Sequence, residues 1–81
     1  MLNLTTKTKL KPEEVVKKAV AYFGPGGYGL TVSNKTDTCV SFQGGGGGVD
    51  ISTCAEDKGT SVDFETREWE IQVKEFARNI K

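Results

Sequence analysis

Residues 24–29 read Gly24-Pro25-Gly26-Gly27-Tyr28-Gly29, letter for letter the G-x-G-x-x-G pattern. That pattern holds a pyrophosphate only when it leaves a strand and opens a helix, so that helical N–H groups face the anion. Here the order is reversed. Before it, Val16, Ala19, Val20 and Phe23 recur at i, i+3, i+4, i+7 with Lys17 and Lys18 on the wet side, an amphipathic helix. After it, Tyr28, Leu30 and Val32 alternate with Gly29, Thr31 and Ser33, a strand. The glycines therefore end a helix. Gly24 is expected in the left-handed conformation just past it, and Pro25 blocks its continuation. The dinucleotide reading fails, leaving two others. Either Gly26, Gly27 and Gly29 let the backbone approach the last helix or a ligand closely, with Tyr28 at a cavity mouth, or the segment is ordinary core packing.

The helix before this segment starts at Lys11-Pro12-Glu13-Glu14, with Pro at the first helical position and acids in the first turn. Ahead of it, Leu2, Leu4, Thr6, Thr8 and Leu10 alternate with polar residues, a half-buried strand. Beyond it, Asn34-Lys35-Thr36-Asp37 reads as a turn. Strands then centre on Val40 and Phe42, on Val49, Ile51 and Thr53, and on Val62 and Phe64, with a turn at Glu56-Asp57-Lys58-Gly59. Trp69, Val73, Phe76 and Ile80 form one stripe of a final helix, with Thr66 as its expected N-cap.

The order is β-α-β-β-β-β-α. The short turns make neighbouring strands antiparallel, and the first strand finds its partner in the fifth. The expected fold is α+β: a single domain over residues 1–81, with a curved five-stranded antiparallel sheet in the order 2-3-4-5-1 and two helices on one face. Outward Lys7 and Lys9 would then meet outward Asp63 and Glu65.

Composition restricts the function. Eleven Lys/Arg balance eleven Asp/Glu, so the basic excess that phosphate contacts require is missing, which argues against nucleic acid. Residues 1–40 carry six basic and three acidic residues, and residues 41–81 five and eight, an asymmetry that pairing of the two halves explains. There is no His, which removes the commonest general base and metal ligand. Asp63 and Glu65 stand outward on a strand, whereas acid/base work needs one carboxyl desolvated. No catalytic residues, no metal and no cofactor are expected. Residues 1–7 lack the pattern of a secretory signal, and no stretch approaches the ~20 apolar residues that span a bilayer. A cytoplasmic protein without membrane attachment, monomeric or weakly homodimeric, is the expectation.

The β-α-β4-α order resembles a minimal helix-grip domain of the Bet v1-like group, which includes START-type and polyketide-cyclase-like proteins. The TATA-binding-protein repeat shares that order. The local match is Gly59-Thr60-Ser61-Val62-Asp63-Phe64-Glu65 running into Trp69…Phe76, similar to the family's G-T-x-V strand and gripping helix. The resemblance implies an apolar or amphipathic small molecule held between sheet and last helix, with Tyr28, Leu30, Phe42, Ile51, Phe64, Trp69, Val73 and Phe76 as lining residues. The alternative is a protein-interaction or self-association module that uses the outer sheet face or the edge strand 28–34.

Two further features need the tertiary structure to decide. Gly44, Gly45, Gly46, Gly47 and Gly48 form either a flexible flap or anion nest, or a tolerant hairpin tip. If Gly45–Gly48 form a four-residue loop, strand partners sum to 93 and Cys39 stands opposite Cys54. A sum of 91 instead puts Cys39 opposite Ser52 and separates the thiols diagonally. Directly opposed Cβ atoms lie about 4.5–5.5 Å apart, against a mean of ~3.8 Å in disulfides. The two cysteines are thus either a redox pair or two small strand residues.

Overall fold

The computed structural model describes residues 2–80. The chain runs β1 (Leu2–Thr8), α1 (Pro12–Phe23), β2 (Thr31–Lys35), β3 (Cys39–Gly44), β4 (Gly47–Glu56), β5 (Gly59–Arg67) and α2 (Glu70–Ile80). The strands form one antiparallel sheet in the order β1-β5-β4-β3-β2, the expected α+β topology. α1 lies over β3 and β4, and α2 over β1 and β5, on the same face. The core fills the space between: Val15, Val16, Ala19 and Phe23 from α1, Val73, Phe76, Ala77 and Ile80 from α2, and Val40, Phe42, Val49, Ile51, Val62 and Phe64 from the sheet are all buried. Val15 was not on the stripe read from the sequence, yet it is fully enclosed. The helix presents a wider apolar face than an i, i+3, i+4 count reveals.

Inward threonines continue the core to its rim. Thr8 donates its hydroxyl to the Ile80 carbonyl, Thr60 to that of Leu10 (2.6 Å) and Thr66 to that of Gly48 (2.8 Å). Each of these three hydroxyls thus finds an acceptor, and the first two tie β1 and the chain after it to α2 and β5.

Several local expectations are corrected. Thr66 is not the N-cap of α2, because β5 continues to Arg67; the Trp69 carbonyl accepts the Val73 N–H at 2.9 Å instead. Gly24 is extended (φ −76°) rather than left-handed, and the positive φ falls at Gly29 (+83°). The reason is a longer wrap of chain back onto α1. The N–H groups of Gly27 and Gly29 go to the Gly24 carbonyl, that of Tyr28 to Tyr22 and that of Leu30 to Phe23. These amides are spent locally, so the edge strand begins at Thr31 and covers 31–35 rather than 28–34.

The β1–β5 register also differs from the expected charge pairing. Thr5 faces Asp63 and donates to its carboxylate at 2.7 Å, while Asn3 faces Glu65 and Lys7 faces Ser61. Lys7 instead reaches Glu56 at 3.6 Å with both side chains exposed, a contact of at most about 1 kcal/mol. Lys9 lies beyond β1.

Candidate functional site

The glycine run is mostly strand. Gly44 ends β3, Gly47 and Gly48 begin β4, and Gly45 (φ +58°) and Gly46 (φ +82°) alone make the turn. Positive φ at both central residues is the type I′ hairpin, whose twist matches that of the strands. The turn is also covered: Trp69 Nε1 donates to the Gly44 carbonyl at 3.0 Å, and a Cβ on Gly45 would lie 2.7 Å from Trp69 Cζ2. The expectation of a five-residue flexible loop is therefore replaced by a two-residue turn seated under an indole.

That turn fixes the β3–β4 register at a sum of 91. Phe42 pairs with Val49, Cys39 with Ser52, and Cys54 with Ser61 of β5. The opposed-thiol register is thereby corrected: the thiols are diagonal neighbours, at a separation of roughly 7 Å by sheet geometry, beyond the reach of a disulfide without backbone movement. Both are free, Cys54 exposed and Cys39 half-buried. The Thr38 hydroxyl, 3.7 Å from Cys39 Sγ, holds that thiol below its ordinary range. After mild oxidation of the dilute chain, two titratable thiols per molecule are expected; a loss of both that Cys54→Ser prevents would restore the redox pair.

Of the residues expected to line a ligand site, Leu30, Phe42, Ile51, Phe64, Val73 and Phe76 are buried at 2% exposure or less. They pack on one another and on Phe23, whose ring lies 5.6 Å from Phe42 and 5.5 Å from Phe76. Tyr28 and Trp69 stand apart at the rim, with centroids 5.6 Å apart, and Tyr28 is 46% exposed. The surface concavities do not bring the eight together. One of about 720 Å³ opens on the outer side of the glycine hairpin between Thr31, Gln43, Asp50, Glu65 and Arg67, with Phe42 at its border. Another, about 280 Å³, lies between the helices beside Tyr22 and Phe76.

Tyr22 and Glu75 went unnoticed in the sequence because they are far apart in the chain and become neighbours only when the helices pack. The Tyr22 hydroxyl donates to Glu75 Oε2 at 3.1 Å, and its ring meets Tyr28 at 5.4 Å. Burial first, then the Tyr28 hydroxyl and Glu75, raise the Tyr22 phenol well above its ordinary value of 10.0. A phenol held neutral by the fold contributes its full stability below pH 10 and loses it as the pH climbs toward the raised value. Thermal stability is therefore expected to fall above pH 10, with a shallower fall in Tyr22→Phe; identical slopes would dismiss this contact.

The outer face of the sheet carries no helix. Asn3, Thr5, Lys7, Ser41, Ser52 and Asp63 lie on it, all small or polar. Both sheet edges, β1 and β2, have no strand beside them among the described residues. Among those residues no three Cys, Asp or Glu side chains converge, and no helix is long and apolar enough to cross a membrane.

Fold and surface define the class: a small α+β domain with an open sheet, two helices on one face and a filled interior. Comparison with known protein families, with curated proteins and with solved structures returned no match.

Proposed function

We propose that this chain is a small non-enzymatic interaction module that engages another polypeptide at a free edge of its sheet. The observation that carries the reading is the combination of an open five-stranded sheet with an interior occupied by its own aromatic and aliphatic side chains. A free strand presents a row of unpaired N–H and C=O groups, a template for a further strand. Six of the eight residues that the helix-grip resemblance suggests as a ligand lining are buried, Phe42, Phe64 and Phe76 among them, which supports an occupied interior.

Nitrogen–proton correlation spectra recorded on dilution from millimolar to micromolar test the reading. Concentration-dependent shifts confined to amides 2–8 or 31–35 are the expected result. Unchanged edges, together with saturable shifts at Phe42, Trp69 and Phe76 on adding a pool of fatty acids, sterols and planar aromatics, would overturn it in favour of a cavity.

A further inference from the structure

The two edges of the sheet are not equivalent. β2 has five residues, is interrupted by a register shift between Val32 and Asn34, and ends in Lys35. Shortness, a bulge and a terminal lysine are devices that discourage strand pairing. β1 has none of the first two: its seven residues pair with β5 without a break, from Leu2↔Thr66 to Thr8↔Thr60. Thr5, Thr6 and Thr8 give it strand propensity, and Lys7 is its single charge. On its helix side Leu2 and Leu4 are only partly covered, so apolar surface accompanies the free backbone.

We infer that β1 is a homodimerisation edge, on which β1 of a second copy pairs antiparallel about a two-fold axis at Thr5, giving a continuous ten-stranded sheet. This rests on the interaction reading and specifies its partner and edge. Face parity, the number of residues paired and the placement of Lys7 select the arrangement. Inward residues of β1 are even-numbered, being opposite the buried Val62, Phe64 and Thr66, so the two copies keep their faces aligned only if paired residue numbers sum to an even value. A sum of 10 pairs all seven residues and sets Lys7 opposite Asn3 of the second copy, whereas a sum of 14 would oppose Lys7 to itself. Leu2 and Leu4 then lie beside Thr8 and Thr6 of the second copy.

The helix layer agrees. α2 lies over β1 and β5, and α1 over β4 and β3, two strand spacings apart, which is about 10 Å at the usual ~4.8 Å per strand. That is a normal packing distance for helices. Adding a copy at β1 places its α2 two strand spacings from the first, so the same distance recurs across the junction. Glu75 faces α1 through Tyr22. By helical periodicity the flank away from α1 carries Glu70, Lys74 and Arg78, with Ile71 beside them at 70% exposure. The two-fold axis makes the α2 helices antiparallel, which brings Glu70 in the first turn of one toward Arg78 in the last turn of the other. The surfaces are complementary in charge and cover an otherwise bare isoleucine.

Sedimentation velocity and amide exchange on the full chain over a concentration series test the inference. Sedimenting mass should rise to that of a dimer, with amides of residues 2–8 gaining protection and those of 31–35 unchanged. Asn3 is exposed near the strand end but stands opposite Glu65 of β5, so circular dichroism first verifies that each charge variant keeps the fold. Asn3→Glu faces Lys7 of the second copy twice and should tighten the dimer roughly tenfold; Asn3→Lys should weaken it roughly tenfold. High salt should reduce both effects. Effects of the same sign for the two variants would overturn the register. Dimer formation with protection at 31–35 would overturn the choice of edge while leaving the interaction reading standing. A monomer at every concentration, with edge amides that respond only when another polypeptide is added, would overturn self-pairing and again leave that reading standing; edges that never respond would sink both.

Discussion

Phe76→Ala is expected to cost roughly 3–5 kcal/mol, the range for deleting a buried phenyl ring. Its ring meets Tyr22 at 5.3 Å, Phe23 at 5.5 Å and Phe64 at 5.9 Å, so a single side chain holds α2 to both α1 and β5. At about 0.05–0.15 kcal/mol per residue, a chain of 81 residues has roughly 4–12 kcal/mol in total, and the variant would forfeit a large share of it. Thermal unfolding followed by circular dichroism should show a midpoint lower by roughly 12 °C or more. The outcome bears on function as well as on stability. A ring that merely borders a ligand cavity already has empty space beside it, and its truncation adds little. A loss below about 1 kcal/mol would therefore argue against the filled interior on which the interaction reading stands.

The second large effect is expected at the glycine hairpin. A Cβ on Gly47 would overlap the Arg67 carbonyl oxygen and sit 2.9 Å from Glu68 Cβ. Neither neighbour can yield cheaply. Arg67 ends β5, and Glu68 already occupies the left-handed region at φ +73°, a conformation costly for a residue with a side chain. Gly47→Ala must push the hairpin away from the β5–α2 connection, and with it Trp69, whose Nε1 holds the Gly44 carbonyl. The cost is expected near 3 kcal/mol, the upper part of the usual range for overpacking. Gly46 is the control. Nothing lies within 4 Å of a Cβ there, and only its φ of +82° matters, so Gly46→Asn, which tolerates that region, should cost below about 1 kcal/mol. Denaturant midpoints give the two costs, and the emission of Trp69 shows whether the indole has left the hairpin. A cost at Gly47 no larger than that at Gly46 would mean that the close approach to Arg67 does not dictate glycine there.

These two sites show which parts of the molecule were legible in sequence. The element order was readable because period-two and period-3.6 patterns are local: Val40 and Phe42, or Val73 and Phe76, reveal their own face whatever they later touch. The strand order followed from short turns and from the first strand's need for a partner. Element ends were less accessible. Tyr28 continues the alternation of Leu30 and Val32, yet its N–H goes back to Tyr22, a hydrogen bond that no pattern of apolar residues encodes. Thr66 has the side chain of a helix cap, but the β4–β5 ladder extends to Arg67 and spends its hydroxyl on Gly48.

Sequence by itself thus determined the fold class, the strand order and the identity of most core residues, since these depend on hydrophobic period and chain connectivity. Tertiary structure alone decided three things. A run of five glycines is compatible with several turns, and the type I′ turn beneath Trp69 selected the register that separates Cys39 from Cys54. The same aromatic residues could line a cavity or fill it, and the packing of Phe23, Phe42, Phe64 and Phe76 on one another supports the second. Both β1 and β2 are edges by topology, but the unbroken register of one and the bulge in the other make only the first a good template, because pairing depends on an uninterrupted row of backbone donors and acceptors.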